Sequence, residues 1–518
     1  MSRRDLREQR EIELKLELDP AAAASFRHRA IADLGPPRKQ APRLTSTYFD
    51  TRKQALRRRG LSLRVREGDG RRVQTLKADG GAGVGLFRRR EWESAVPNSR
   101  PDPERFDDAN AADLIRNHGP LAPVFATAVE RTTWLVAEGG SSIEVVVDEG
   151  TVAAGDATAP LTEVELELKD GSASDLFRLA RRLAQPGELR ISARSKSEKG
   201  YALADGGDAG VVKAPSIRLS RRASAGDAFQ AIARSCLRHF RLNEAATVEG
   251  RSVEALHQAR VAMRRLRSAL SLFRRFTSDP EGTRVRAELR RVSGLLGEAR
   301  NLDVFLAGPL AAETERHPAS PGLAALTEQV REDRERAYDR VVAELGSAEF
   351  RLFTVDLAAW VEHGEWSRAR EGAKTRDRKV GRFAARTLDA RRRRVEADGR
   401  GLAKASPEER HRVRIDAKKL RYASEFFADL TRGGRDRKRQ KAFVARLAKL
   451  GDALGELNDI ATARELTTTL AAAGDGMAGG SSSAAGHLSG EGDDREASLV
   501  LAAVKAHRKF VGAEPYWS

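Results

Sequence analysis

The eight residues EIELKLEL, Glu11 to Leu18, alternate without a break. Glu11, Glu13, Lys15 and Glu17 fall on one side of an extended strand, and Ile12, Leu14, Leu16 and Leu18 on the other. LTEVELELK (161–169) repeats the pattern, with Glu163, Glu165, Glu167 and Lys169 on one face. Further charged rows follow: Arg64 and Arg66 in LSLRVRE, Thr75 and Lys77 in VQTLK, and Arg89, Glu91 and Glu93 in RREWE. Arg131 sits in ERTTW, Asp148 in IEVVVDEG, and Lys196 and Lys199 in SKSEKGY. A polar row on one strand is ordinarily its solvent face. With rows on nearly every strand, and with both signs of charge, two arrangements satisfy the chain. One is an ordinary sheet with mutual salt bridges. The other is a barrel that gathers the charged faces inside and covers its apolar outer face with helices. In the barrel, cations grip phosphate oxygens. The carboxylates, which repel phosphate, would hold a hard cation such as Mg²⁺ or Mn²⁺.

The first two hundred residues therefore read as antiparallel β structure, with strands near 11–18, 43–49, 61–67, 72–78, 87–95, 127–137, 142–150 and 161–169. Helical patterns lie near 21–34, 104–117 and 172–184. EGDGRR (67–72) reads as a tight hairpin. DGGAGVGLF is rich in glycine but lacks the strand-turn-helix context of a phosphate cradle, so it reads as a loop. ADGGDAGVVKAPS (204–216) is a linker, and residues 220–470 are helical in texture. GDGMAGGSSSAAGHLSGEGDD (474–494) is of low complexity and expected to be disordered, with a last helix over 495–511.

The helical half contains a copy of itself. HQARVAMRRLRSALSLF from His257 aligns without gaps on HRVRIDAKKLRYASEFF from His411, and LLGEARNLD (295–303) resembles ALGELND (453–459). Two related units, each a four-helix bundle, are the expectation. His257, Arg260, Arg264 and Arg267 form one stripe of a helix, and His411, Arg414, Lys418 and Arg421 form the same stripe. A cationic stripe cannot be buried dry. Either it meets carboxylates, with Glu298, Asp303, Glu456 and Asp459 in reach, or it lines a wet groove for an anion. The stripes lack the base-reading side chains of duplex recognition and the interleaved aromatics of single-strand binding. They suit a linear phosphate chain.

Length and charge agree with this. A chain of 518 residues implies about two to four domains. Its net charge of +18 points to a polyanionic partner. The single cysteine, Cys236, excludes an intrachain disulfide and a cysteine zinc site and fits a reducing compartment. The N-terminus lacks a secretory h-region, and no apolar run approaches the roughly 18 residues of a membrane span. The expected location is the cytoplasm. Neither a membrane nor a specific nucleic acid is an expected partner, and the sequence sets no oligomeric state.

The ordered set Glu11-Ile-Glu13-Leu-Lys15, YFDT (48–51), LRVR (63–66), LK (76–77), RREWE (89–93), ELEL (165–168) and SKSEKGY (195–201) resembles the CYTH family of triphosphate tunnel metalloenzymes. The His-headed helical repeats resemble the CHAD domain. The combination resembles bacterial CYTH–CHAD inorganic triphosphatases. The resemblance implies an α+β chain: an eight-stranded antiparallel β tunnel with helices outside over residues 1–205, a linker over 206–217, and an all-α CHAD-like domain over 218–515. That domain would hold two repeats, about 218–370 and 371–515. It also implies Mg²⁺ or Mn²⁺ at Glu11, Glu13, Glu165 and Glu167, with Glu165 and Glu167 as catalytic candidates. Lys15, Arg64, Arg66, Lys77, Arg131 and Lys196 would bind triphosphate, and Arg89, Glu91, Glu93 and Asp148 would be further tunnel charges. The two stripes, His257, Arg260, Arg264 and Arg267 with His411, Arg414, Lys418 and Arg421, would bind polyphosphate. Inorganic triphosphate is the expected substrate. Alternatives are a cyclase or organic triphosphatase acting on ATP or thiamine triphosphate, and a non-enzymatic polyphosphate-granule protein.

Overall fold

The computed structural model describes residues 10–78, 83–116, 119–185, 187–207, 211–431, 433–473 and 492–517. The insert expected to be disordered at 474–494 lies, as far as residue 491, outside the described residues, as do 79–82 of the glycine-rich stretch. The chain divides into two compact units. One is Met1–Val212 with Leu345–His363; the other is Lys213–Glu344 with Gly364–Ser518. No helix among the described residues is long and apolar enough to cross a membrane.

Eight antiparallel strands make the first unit: β1 (Arg10–Leu18), β2 (Lys39–Thr51), β3 (Leu61–Gly68), β4 (Arg71–Ala78), β5 (Leu86–Ala95), β6 (Leu121–Glu138), β7 (Ser141–Ala154) and β8 (Ala157–Asp170). They run in the order β5-β4-β3-β2-β6-β7-β8-β1. The pairing of β1 with β5, from Arg10 opposite Arg90 to Leu14 opposite Leu86, closes them into a barrel. The α+β architecture with a closed eight-stranded tunnel is thus as expected. The hairpin at 67–72 is present, with Asp69 and Gly70 both at positive φ, the conformation that favours Asp-Gly in two-residue turns.

Strand periodicity decides what the barrel encloses. Leu14, Leu16, Leu63, Val65 and Leu76 point outward and are buried there. The helix α1 (Ala23–Leu34) sits between β1 and β2. The helix α2 (Ala109–Arg116) covers β2 to β5 through Ala111 and Ile115, packed on Phe49, Leu61, Leu63, Val65 and Leu76. The helix α3 (Ala173–Ala184) buries Leu176, Leu179, Ala180 and Leu183 and packs on β1, β8 and a short strand, β9 (Leu189–Ile191). The alternate residues, many of them charged, face inward.

Two elements have no counterpart in the sequence reading. β9 is three residues long, too short for periodicity to register. The helix α4 (Lys196–Ala204) lies in SKSEKGYALA; it starts at a capping box, with Ser195 and Glu198 each bonding the other's backbone. Long strands also outrun their apolar alternation. β7 and β8 continue to a turn at Gly155 through the small residues Thr151–Ala154 and Ala157–Pro160, because backbone pairing does not need large side chains.

The second unit holds α5 (Ala225–Val248), α6 (Val253–Leu272), α7 (Pro280–Phe305), α8 (Ala311–Arg316) and α9 (Pro321–Gly346). The helix α10 (Ala348–His363) belongs instead to the first unit and packs on α3 and β9. There Arg181 meets Asp356 at 2.9 Å, and the Phe177 and His363 rings meet edge to face. The chain then returns with α11 (Ala373–Arg376), α12 (Val380–Asp398), α13 (Pro407–Phe426), α14 (Gly433–Ala473) and a last helix, Gly492–Val511. The repeat-equivalent Phe273 and Phe427 end α6 and α13, and their rings meet edge to face at 6.4 Å.

Gly200 in α4 faces Phe125 so closely that a Cβ would fall 2.0 Å from its ring. Gly200→Ala should therefore cost about 1–3 kcal/mol through overpacking, read as a lower urea midpoint for the barrel unit.

Candidate functional site

The inward faces of the barrel enclose a cavity of about 890 Å³. Among the described residues, ten basic and seven acidic side chains line it, so its balance favours an anion. The signs are unevenly spread. Going round the barrel, β4, β3, β2 with the residue before it, and β6 contribute Lys77, Arg64 and Arg66, Arg38 and Lys39, and Arg131. The other half, β7, β8, β1 and β5, contributes Glu144, Glu165 and Glu167, Glu11 and Glu13, and Glu91 and Glu93, with Lys15, Arg89 and Lys169 among them. A basic wall faces one on which carboxylates predominate.

Strand register explains the two carboxylate rows. β1 lies beside β8 with Glu13 opposite Glu167, Lys15 opposite Glu165 and Glu17 opposite Glu163. On its other side β8 meets β7 with Glu167 opposite Glu144 and Glu163 opposite Asp148. Like charges directly opposed across a sheet are destabilising, so cations are drawn in among them. Lys15 bonds Glu165 and lies 3.0 Å from Glu13, which also meets Arg89 at 3.0 Å. Lys169 bridges Glu144 and Glu167 at 3.0 and 2.8 Å. Lys77 donates to both oxygens of Glu11 at 2.7 Å and lies 3.3 Å from Glu91.

The most enclosed group is built by α4. Asp148, Glu163 and Glu165 place carboxylate oxygens within 4.8 Å of one another. The Lys196 ammonium sits among them, at 2.8, 2.5 and 2.9 Å, and donates a hydrogen bond to Glu165. Arg131 adds a two-pronged contact to Asp148 at 2.7 and 2.6 Å, and Lys199 donates to Glu163 at 3.0 Å. Burial alone would lower the pKa of Lys196, but these carboxylates push it well above the ordinary lysine value. Burial would raise Glu13 and Glu165. Lys15 and its neighbouring cations outweigh it, holding Glu13 at about 2 and Glu165 well below the usual carboxylate range. Glu11 and Glu167 shift the other way, raised first by burial, with carboxylate repulsion adding to it.

This donor set fits a hard divalent cation. It is all oxygen, and the buried Glu13 Oε1 has the Arg89 guanidinium 3.0 Å away but outside hydrogen-bond geometry. Glu11, Glu13, Glu165 and Glu167 lie along one wall where such an ion would relieve their repulsion.

The helical unit has its own cavity, of about 1640 Å³. His257, Arg260, Arg264 and Arg267 of α6 line it together with His411, Arg414 and Lys418 of α13. Among the described residues, twelve arginines and lysines meet three carboxylates there, so its balance too favours an anion. Burial, followed by mutual repulsion, lowers Arg260 to about 10 and Lys418 to about 7. Of the four carboxylates in reach by sequence, only Asp459 lines the groove. Glu298 pairs with Arg340 at 2.6 Å, Asp303 with Arg334 at 2.8 Å, and Glu456 with Arg495 at 3.6 Å. These partners come from other helices, which the repeat pattern could not reveal.

A family model described as the CYTH domain matches residues 9–201, and one described as the CHAD domain matches residues 231–468. The chain is a CYTH–CHAD tandem protein. An inorganic triphosphatase from Haemophilus influenzae is 31% identical over 194 residues, 37% of this chain and 54% of that protein. The chain thus spans about half the length of that curated relative. The crystal structure of the CHAD domain from the plant Ricinus communis is 29% identical, covers 59% of this chain and 97% of its own, and superposes with a TM-score of 0.51. PptA from Streptomyces chartreusis is 19% identical over 55% of this chain and 100% of its own, with a TM-score of 0.43.

In the CYTH unit, Glu11, Glu13, Lys15, Arg64, Arg66, Lys77, Arg89, Glu91, Glu93, Arg131, Glu165, Glu167 and Lys196 come together around one cavity. Asp148 is fully buried behind it, holding Arg131 and Lys196. In the CHAD unit, Arg421 lines an adjoining cavity of about 340 Å³ with Arg414 and Lys418. Sequence reasoning assigned no role to Glu163, although it lies in the same alternating row as Glu165. It also passed over Tyr48, Glu144, Arg38 and Lys39, whose positions depend on register and barrel closure.

Removing the Lys196 ammonium leaves three buried carboxylates short of a cation. Lys196→Met should cost about 3–5 kcal/mol at pH 7. Asp148 and Glu165 have depressed pKa values, so their stabilisation is present above the unfolded value near 4 and lost as pH falls. The deficit of the variant should therefore shrink as pH falls below about 4 in denaturant titrations.

Proposed function

We propose that the CYTH domain hydrolyses inorganic triphosphate with the help of Mg²⁺ or Mn²⁺ and that the CHAD domain binds inorganic polyphosphate. The observation that carries the reading is the two-walled lumen, basic on one side and predominantly acidic on the other. A phosphate chain alone would be repelled by the acidic wall, and a metal ion alone by the basic one. A metal-bound phosphate chain satisfies both. The name of the Haemophilus influenzae relative points the same way.

Arg64, Arg66, Lys77, Arg131, Lys15 and Lys196 bind and align the triphosphate oxygens. Glu11, Glu13, Glu165 and Glu167 would hold the divalent cation, which supplies charge neutralisation across those oxygens. Glu167, its side chain 30% exposed and reaching the lumen, orients the attacking water. Glu165, gripped by Lys15 and Lys196, keeps those ammoniums against the substrate. Water adds to phosphorus, one phosphoanhydride bond breaks, and diphosphate and orthophosphate leave; the lumen cations stabilise the charge on the leaving diphosphate. An inorganic substrate is favoured over a nucleotide because Tyr48, the aromatic residue among the described lining, already stacks on Phe125 at 4.4 Å. Polyphosphate held by CHAD would keep the enzyme close to a phosphate store, at polyphosphate granules where these form.

The test is phosphate release from tripolyphosphate with Mg²⁺ or Mn²⁺, with ATP as the comparison. Glu165→Gln should lower turnover about 100-fold or more, and ATP should be a poor substrate. Metal-independent release, or faster release from ATP, would overturn the reading.

The CHAD groove predicts a pH profile. Lys418, lowered to about 7 in the free protein, regains its proton when a polyanion fills the groove. Polyphosphate affinity should be full below pH 7 and fall as pH rises above it, with uptake of about one proton on binding. Lys418→Arg, charged throughout, should flatten the profile, as calorimetry in buffers of different ionisation enthalpy would show.

A further inference from the structure

We propose that the tunnel is blind, so that it takes a phosphate chain by its free end and must release the outer fragment before the inner one. This rests on the hydrolytic reading above and adds direction and order to it. Inward alternation continues past the charged layers. On β6 the inward row that holds Arg131 ends in Phe125, and on β7 the row that holds Asp148 ends in Val152 and Ala154. These three form one buried cluster with Tyr48 and with Tyr201 from α4. Phe125 stacks on Tyr48 and takes the edge of Tyr201 at 5.1 Å. Tyr201 is fastened by its hydroxyl, which donates to the fully buried Asp50 at 2.8 Å. Asp50 also accepts from the backbone of Leu56 and Arg57 at 2.9 and 3.0 Å. A close-packed aromatic layer therefore fills the barrel at this end, with no room for a hydrated anion.

Exposure grades along the lumen accordingly. Next to the plug, the side chains of Lys15 and Lys196 are 5% and 8% exposed. At the other end, Lys169, Glu93 and Lys39 are 40%, 43% and 62% exposed. That end is the mouth. A linear phosphate enters there, terminus first, and the charge ladder draws it towards Lys15 and Lys196. When water cleaves one phosphoanhydride bond, the inner fragment is trapped behind the outer one. The outer fragment must leave through the mouth first. A long chain therefore has to withdraw at every turnover, and its shortening is distributive.

Two measurements on the full chain test this. With Mg²⁺ or Mn²⁺, long-chain polyphosphate should shorten in step across the whole population. The same chain capped at both termini as bulky phosphoramidates should stay intact. Cleavage of the capped chain, or complete loss of some chains while others remain full length, would overturn the proposal. The second measurement does not depend on turnover. Thr133→Cys places a thiol at the mouth, and the native Cys236 is buried. In a background of Arg264→Ser and Lys418→Ser, which weakens the CHAD groove, a bulky maleimide on that thiol should abolish tripolyphosphate binding measured by calorimetry. Retained binding would mean a second entrance and would sink the blind tunnel. If labelling blocks binding but tripolyphosphate is never hydrolysed, the hydrolytic reading fails and the blind tunnel stands.

Discussion

A carboxylate inside a barrel is tolerable only with a cation against it, and much of the CYTH unit follows from that demand. Asp148 and Glu163 are fully buried, and Lys196 reaches both from a helix outside the strand order. The helix is fixed by its capping box and by Tyr201, so the ammonium that neutralises the acids is delivered by the element packed at one end of the barrel. Charge compensation and the packing of that end are one construction.

The same demand is left unmet in the CHAD groove. Two copies of one cationic stripe converge on one cavity, and the nearby acids are engaged by arginines of other helices. Burial and repulsion among the guanidinium and ammonium groups destabilise the groove and lower the pKa of Lys418, and a bound polyanion would relieve that repulsion. The tunnel, by contrast, compensates many of its charges internally, and a phosphate chain bound there would exchange carboxylate–ammonium contacts for its own.

Much of this was legible in the residues. Period-two alternation gave the charged faces of β1, β3, β4, β5 and β8, because a strand sends successive side chains to opposite sides whatever surrounds it. The Asp69–Gly70 turn was readable because few other residue pairs accept two positive φ values. Helical spacing gave the stripes on α6 and α13. What escaped was short or non-local. β9 has only three residues. α4 was hidden in a motif read for its lysines. The docking of α10 on α3 and β9 sets a segment between two helices of the second unit into the first, and no local pattern announces that.

The sequence by itself determined which side chains share a face, since that follows from backbone geometry over a few residues. It therefore determined that carboxylate rows exist on two strands and cationic stripes on two helices. Only the tertiary structure decided what each row faces. Strand register placed Glu13 opposite Glu167 and Glu163 opposite Asp148, and a shift of one residue would have turned each row to the outer face. Closure of β1 on β5 made the two walls oppose each other, and α4 sealed one end. These are long-range pairings, selected by burying the outer apolar faces while the buried carboxylates find cations. That balance belongs to the whole barrel and to no single segment.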